Sequence, residues 1–233
     1  MSVELSPIIA GVMNWGVWDK NLNTNEFTHL INLFIENGIT TFDHADIYGG
    51  YTTEASFGKA LSGSKIDRKK IQLITKCGIQ YISENRPNNS IKHYEYSKDY
   101  IIWSAENSLK NLQTDYLDVF LLHRPSPLMQ ADEIAEAVSK LKADGKILSF
   151  GVSNFTSSQT ELLRQKTEIS FNQVQFSATH HEAMLDGSFD YMQIHNIKPM
   201  AWNPLGTVFR ENTDQTFRLR QLLAKLVEKY HIG

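Results

Sequence analysis

The sequence has little cysteine, no long apolar run and no excess of positive charge. Cys77 is the only cysteine in 233 residues, so the chain cannot form an internal disulfide, which fits a reducing cytosol. No run reaches the ~20 apolar residues of a membrane-spanning helix, and no basic segment followed by an apolar one opens the chain. The net charge of −3 creates no general attraction for nucleic acid. We expect a cytoplasmic protein without nucleic-acid or membrane partners, and composition leaves its oligomeric state open.

Short β-branched or apolar runs alternate with helical patterns along the whole chain. The first predicted helix has Thr24 as its N-cap and Gly38 as its left-handed C-terminal residue, and another covers residues 183–195. Residues 79–96 show neither a helical nor a strand period in their apolar residues, and they therefore predict a long loop. The predicted strands cover residues 7–15, 39–43, 70–76, 116–123, 147–153, 169–175 and 198–203.

This alternation predicts parallel βαβ units. The rival fold is an open doubly wound sheet, but no G-x-G-x-x-G follows the first strand. We therefore expect an α/β fold, a (β/α)8 TIM barrel, with about seven βα units present. Residues 1–233 are expected to form a single domain, because no linker or change in composition divides them.

Polar side chains occur where several predicted strands end. Asp43, Lys76 and His123 end the second, third and fourth strands, and Tyr48 follows Asp43 by five residues. The carboxyl ends of barrel strands share one face, which carries the active site. These four side chains should therefore meet at one rim. Further polar or aromatic residues end, or lie on, the remaining strands: Ser153, Asn154, Gln173, Trp202 and Asn203.

Such a set suits the reduction of a carbonyl group. Tyr48 would donate the proton, Lys76 would lower the pKa of the phenol, Asp43 would hold the lysine and His123 would orient the carbonyl. Each of these residues alone could instead have a purely structural role, for example as a helix or turn cap, a packing tyrosine or a core histidine. Four in register with strand ends favour catalysis. His44 and Asp46, which flank Ala45, could also indicate a metal-dependent hydrolase barrel, but the first strand has no His-x-His to support that alternative.

Six motifs, in order, resemble the aldo-keto reductase family. They are Asp43-x-Ala45-x-x-Tyr48, Ile74-Thr-Lys76, the stretch 116–125, Gly151-Val-Ser153-Asn154-Phe155, Asn172-Gln173-Val174 and Ala201-Trp202-Asn203-Pro204-Leu205-Gly206. The stretches 83–87 and 123–127 resemble those of a bacterial subgroup with a long loop after strand three. Any one motif is weak, but six in sequence order are specific.

The resemblance implies NAD(P)H-dependent reduction of aldehydes or ketones, with a small-molecule carbonyl substrate and no metal. Asp43, Tyr48, Lys76 and His123 match the catalytic tetrad of the family. The cofactor is expected to be NADPH, with NADH as the alternative. The positions that match cofactor-binding residues are Ser153, Asn154, Gln173, Trp202, Asn203, Pro204, Leu205 and Gly206.

Family members normally continue beyond the position of Gly233 with an eighth strand, a final helix and the residues that grip the adenosine 2′-phosphate. The resemblance therefore implies an incomplete barrel. We expect marginal stability and weak NADPH binding from this chain alone. Two further readings stay open: a cofactor-binding regulatory protein, and an inactive truncated relative with little turnover.

Overall fold

The computed structural model describes residues 3–232, which form two compact units, one ending at Ser170 and the other beginning at Phe171. The prediction of a single domain over residues 1–233 stays a prediction. Among the described residues, no helix is long and apolar enough to cross a membrane.

The first unit contains alternating strands and helices. Its strands are β1 (Ile9–Gly11), β2 (Thr41–Asp43), β3 (Gln72–Cys77), β4 (Ile79–Gln80), β5 (His93–Tyr94), β6 (Leu117–Leu122) and β7 (Ile147–Ser153). Its helices are α1 (Thr24–Glu36), α2 (Thr53–Ser62), α3 (Lys98–Leu112), α4 (Ala131–Ala143) and α5 (Ser157–Arg164). Five of the strands form one sheet in the order β1-β2-β3-β6-β7, and each is parallel to its neighbours. Strands β3 and β6 are almost wholly buried, as parallel strands covered on both faces are.

The second unit is smaller and follows the same pattern. Strands β8 (Phe171–Gln175) and β9 (Lys198–Trp202) pair in parallel, with α6 (Ser188–Ile194) between them and α7 (Asp214–Tyr230) after them. All seven predicted strand positions therefore overlap a parallel strand. That is one fewer than a complete (β/α)8 barrel has, so an incomplete α/β barrel is confirmed for residues 3–232.

Helix boundaries differ from the sequence expectation in two places. The N-cap of α1 is Asn23 rather than Thr24, because the Asn23 side chain accepts from the backbone of Glu26 while the Glu26 carboxylate accepts from Asn23 N. This reciprocal pair is a capping box. The predicted helix 183–195 begins only at Ser188, because Gly187 adopts a positive φ of 81° after a short 3-10 turn. Gly38 has the predicted left-handed conformation, with φ 76°.

One helix and one strand pair were not predicted. Helix α2 follows the loop after β2 and buries Phe57, Ala60 and Leu61, an i, i+3, i+4 pattern that is too short to stand out in the sequence. Within the long loop, β4 and β5 pair antiparallel, with Ile79 opposite Tyr94. The loop is therefore partly ordered by backbone hydrogen bonds.

A partly buried ion pair joins the amino ends of β3 and β6. Arg68 lies 2.6 Å from Asp118, and the same carboxylate accepts from Leu73 N at 2.8 Å. The Arg68 guanidinium also lies 4.1 Å from the centre of the Tyr116 ring. This network fixes the amino ends of the strands. The candidate site lies at the opposite, carboxyl ends.

Candidate active site

The parallel register brings the carboxyl ends of β2, β3 and β6 to one level. Beyond the strands, Asp46 N donates to Lys76 O at 3.0 Å and His123 N donates to Cys77 O at 2.9 Å. The loop that carries Tyr48 is therefore hydrogen-bonded to the end of β3, and so is the residue after β6. Asp43, Tyr48, Lys76 and His123 all lie at this rim of the first unit.

The Lys76 ammonium is the centre of the site. Its Nζ lies 2.7 and 2.8 Å from the two carboxylate oxygens of Asp43, 2.8 Å from the carbonyl oxygen of His44 and 3.3 Å from the hydroxyl of Tyr48. Lys76 is 1% exposed. A lysine is rarely buried so fully without a partner, and here the carboxylate compensates the charge.

Tyr48 is half-buried and enclosed by other rings. The ring centroid of His123 lies 6.1 Å away at 78°, and that of Trp18 lies 6.2 Å away at 60°. Both contacts are edge-to-face, a favourable arrangement for aromatic pairs. The Tyr48 ring therefore packs against an imidazole and an indole, while its hydroxyl lies 3.3 Å from the Lys76 ammonium.

Burial and charge act in opposite directions on Lys76 and Tyr48. Burial lowers the pKa of the Lys76 ammonium, whereas the negative charge of Asp43 and the contact with Tyr48 raise it. The raising effects together are larger, so the net pKa is raised. Burial raises the pKa of the Tyr48 phenol, and the charge of Lys76 only partly opposes this. The effect of Lys76 on the Tyr48 pKa therefore has the expected direction, but desolvation of the phenolate outweighs the attraction of the ammonium, and the net pKa is raised.

His123 is a neutral imidazole at pH 7. Burial, followed by the charges of Lys76 and Arg124, holds its pKa well below the ordinary value. Its Nδ1 is buried and has no hydrogen-bond partner among the described residues. His44, fully buried against the edge of Phe57 at 4.4 Å between ring centroids, is neutral for the same reason, since burial lowers its pKa to about 3.

A second polar cluster lies beside the rim and was not predicted. Asp46 and Glu54 are 4% and 2% exposed; Tyr100 and Ser104 donate to Asp46 Oδ2 at 3.2 and 3.3 Å, and Thr75 donates to Glu54 Oε1 at 2.6 Å. Burial, and then the charge of Glu54, raise the pKa of Asp46 to about 8. No sequence signal marked this cluster, because its members come from the Tyr48 loop, α2, β3 and α3.

The described residues contain no group of three or more His, Cys, Asp or Glu side chains placed to hold a metal ion. His44 is buried against Phe57, and Asp46 is buried and accepts hydrogen bonds from Tyr100 and Ser104. The alternative of a metal-dependent hydrolase receives no support from their placement.

The predicted cofactor-binding residues fall in both units. In the first unit, Ser153 is buried at the end of β7, and Asn154 follows in a left-handed conformation with φ 60°. The Asn154 amide donates to Ser153 Oγ at 2.8 Å. This hydroxyl and amide, at the same rim as Tyr48, are the donor and acceptor types that a carboxamide requires.

In the second unit, Gln173 is buried on β8 and Trp202 is half-buried at the end of β9. The turn that follows contains Asn203, Pro204, Leu205 and Gly206. Asn203 and Gly206 have positive φ of 53° and 56°, and a Cβ on Gly206 would collide with the hydroxyls of Ser177 and Thr179.

The turn is held by an arginine. Arg210 donates to Asn203 Oδ1 at 2.9 Å and to the carbonyl of Gly206 at 2.8 Å. Arg210 thus holds the turn, while the positive φ of Gly206 and the lack of space for a Cβ require glycine at that position.

Parallel βα units with polar side chains collected at the carboxyl ends of the strands define the barrel-enzyme class. Comparison with known proteins is more specific, because the model of the Aldo/keto reductase family matches residues 7–228. Among curated relatives, oxidoreductase YcsN of Bacillus subtilis is 47% identical over 225 residues, which span 95% of this chain and 74% of the relative. A 6-dehydroglucose reductase of Agrobacterium fabrum is 37% identical over 206 residues, spanning 88% and 69%.

A solved structure agrees with this assignment. The aldo-keto reductase AKR11C1 from Bacillus halodurans, in its holo form, superposes with a TM-score of 0.80 at 25% identity, covering 94% of this chain and 73% of that one. The chain belongs to the aldo/keto reductase family. It is an enzyme of the oxidoreductase class, with the family's (β/α)8 fold incomplete over the described residues.

Proposed function

We propose that the protein reduces aldehydes or ketones to alcohols with a nicotinamide cofactor, and that Tyr48 donates the proton. The observation that carries the proposal is the position of the buried Lys76 ammonium, which contacts both the Asp43 carboxylate and the Tyr48 hydroxyl. A phenol, an ammonium and a neutral imidazole at one rim are what protonation of a developing alkoxide needs.

The raised pKa of Tyr48 keeps its proton in place at neutral pH. When the carbonyl oxygen becomes negative, the Tyr48 O–H bond breaks and the proton moves to that oxygen. The phenolate that results lies 3.3 Å from the Lys76 ammonium, which stabilises it. Asp43 holds this ammonium in place through both carboxylate oxygens.

His123 orients the substrate as a hydrogen-bond donor. A neutral imidazole carries one proton, and an unpaired buried N–H costs more than an unpaired acceptor. Because Nδ1 is buried without a partner among the described residues, the tautomer with the proton on Nε2 is favoured. That N–H would bind the carbonyl oxygen beside the Tyr48 hydroxyl.

NADPH is the proposed cofactor, with NADH as the alternative, and when bound it supplies the hydride. In the first unit, Ser153 and Asn154 match carboxamide-binding positions of the family, and their hydroxyl and amide groups suit the donors and acceptors of a carboxamide. In the second unit, Gln173 matches a further cofactor-binding position and also carries an amide. Trp202 would stack on the nicotinamide ring. The turn formed by Asn203, Pro204, Leu205 and Gly206 would lie along the pyrophosphate.

The substrate is a small carbonyl compound. Since one relative is named a 6-dehydroglucose reductase, sugar-derived carbonyl compounds belong in a substrate panel beside simple aldehydes such as 4-nitrobenzaldehyde. We also propose a cytoplasmic location, which the free, buried Cys77 supports.

The test is the substrate-dependent loss of absorbance at 340 nm with NADPH and with NADH, in the parent protein and in Tyr48→Phe. We expect turnover in the parent and at least a hundredfold slower turnover in the variant. Cofactor binding without turnover in either protein would instead indicate a cofactor-binding regulatory role.

A further inference from the structure

The backbone that follows Tyr48 is strained. Gly49, Gly50 and Tyr51 have consecutive positive φ of 60°, 63° and 74°. Two glycines adopt this region freely, but a residue with a Cβ does so rarely, and only where its surroundings hold it. Tyr51 is therefore the member of the bend that needs an external restraint.

Three hydrogen bonds from the loop after β3 hold this bend. Tyr81 N donates to the Tyr51 hydroxyl at 2.7 Å. The carbonyl of Gly50 accepts from Ser83 Oγ at 3.1 Å and from Asn85 Nδ2 at 2.9 Å. Gly50 and Tyr51 thus both accept hydrogen bonds from a segment about 30 positions further along the chain.

Arg86 follows this segment, and its guanidinium packs against the Tyr51 ring. Its guanidinium lies 4.7 Å from the ring centre of Tyr51 and 4.4 Å from that of Trp103 on α3. The arginine thereby links the bend to a helix of the barrel through two cation–π contacts.

The bend is continuous with the proton donor. Thr52 N and Thr53 N both donate to the carbonyl oxygen of Tyr48 at 3.2 Å, and Gly50 N donates to Ile47 O at 3.0 Å. A rotation at Tyr51 would therefore move the Tyr48 backbone and with it the hydroxyl beside Lys76.

From these contacts we infer that Tyr51 and Arg86 are positioning residues, which fix the strained bend and so hold the Tyr48 hydroxyl at its place beside Lys76. The inference rests on the proposed role of Tyr48 as the proton donor. It assigns the long loop a part in catalysis that does not require contact with the substrate.

Tyr51→Phe tests this, since it keeps the ring and removes the hydroxyl. We expect kcat for 4-nitrobenzaldehyde with NADPH to fall about tenfold while KM changes less than twofold, because small displacements of a reacting group cost rate rather than binding. Tyr116→Phe is the matched control: it has the same cation–π contact with an arginine, Arg68, at the other end of the strands, and we expect it to leave kcat unchanged.

Two further measurements separate positioning from general destabilisation. When Tyr51→Phe is added to Tyr48→Phe, the remaining kcat should not fall further, because the Tyr48 hydroxyl that Tyr51 positions is already absent. A further tenfold loss of kcat would overturn the inference. Arg86→Lys keeps the charge but loses the planar group that covers the ring, so kcat should again fall without a change in KM.

Hydrogen exchange gives a reading that needs no turnover. The amides of Thr52 and Thr53, which donate to Tyr48, should exchange at least threefold faster in Tyr51→Phe than in Tyr116→Phe. Equal exchange, or an unchanged kcat in Tyr51→Phe, would overturn the inference. If Tyr48→Phe is as active as the parent, the proposed function fails, and the exchange rates alone then decide whether Tyr51 holds the bend.

Discussion

The buried pair between Lys76 and Asp43 makes the sharpest prediction for stability. Asp43→Asn keeps the shape of the side chain but removes the charge that compensates an ammonium only 1% exposed. Breaking a buried pair by neutralising one partner costs about 3–5 kcal/mol, a large part of a typical stability of about 5–15 kcal/mol. If the free energy of unfolding decreases by about 3 kcal/mol per M urea, the urea concentration at the unfolding midpoint should fall by about 1–2 M.

An exposed pair of the same length provides the control. Lys98 and Glu136 are also 2.7 Å apart, but their side chains are 41% and 63% exposed. Glu136→Gln should therefore leave the unfolding midpoint almost unchanged, because exposed ion pairs contribute little to stability. Urea unfolding followed by circular dichroism measures both variants, and equal midpoints for them would refute the argument that burial makes the Asp43 charge indispensable.

The same variant changes the response of stability to pH. In Asp43→Asn the burial that lowers the Lys76 pKa is no longer opposed by the carboxylate charge, so this pKa should drop below that of the unfolded lysine. The unfolded chain then binds more protons, and stability rises as pH rises toward the unfolded value of about 10.4. In the parent the pKa is raised instead, so the contribution of Lys76 is complete below about 10.4 and is lost only above it.

Two further outcomes follow from buried groups. Burial raises the pKa of the Cys77 thiol well above its ordinary value, so iodoacetamide should not modify Cys77 at pH 8 until urea unfolds the protein; rapid labelling of the native protein, measured by mass spectrometry, would contradict this. Asp46 keeps its proton up to about pH 8, whereas an unfolded aspartate loses it near pH 4. The folded protein therefore binds one proton more than the unfolded chain in this range. The free energy of unfolding, measured with urea, should fall more steeply from about pH 4 to 8 in the parent than in Asp46→Asn. The same slope in both proteins would show that Asp46 does not titrate in this range.

The strands and the tetrad were accessible from sequence because both depend on local pattern. Each apolar run ends at a polar residue, and parallel strands place their carboxyl ends together, so Asp43, Lys76 and His123 were expected at one rim. The structure places them there, with the Tyr48 hydroxyl within 3.3 Å of Lys76 Nζ. Their catalytic roles stay predictions.

What the sequence did not show depends on contacts between distant segments. The net direction of the Tyr48 pKa is set by burial, which no motif reports. Arg86 and Tyr51 meet through folding of the long loop, and that loop has no period from which its course could be predicted. Helix α2 is short, and its buried Glu54 interrupts the apolar pattern by which helices are recognised.

The most direct test of the account is a single-turnover measurement with the parent and Tyr48→Phe. Enzyme in excess over NADPH is mixed with 4-nitrobenzaldehyde, absorbance is followed at 340 nm, and cofactor affinity is measured separately by nicotinamide fluorescence. The account predicts at least a hundredfold slower decay in Tyr48→Phe with cofactor affinity unchanged within about twofold. Equal decay rates in the two proteins would contradict it, since the proton would then come from another group.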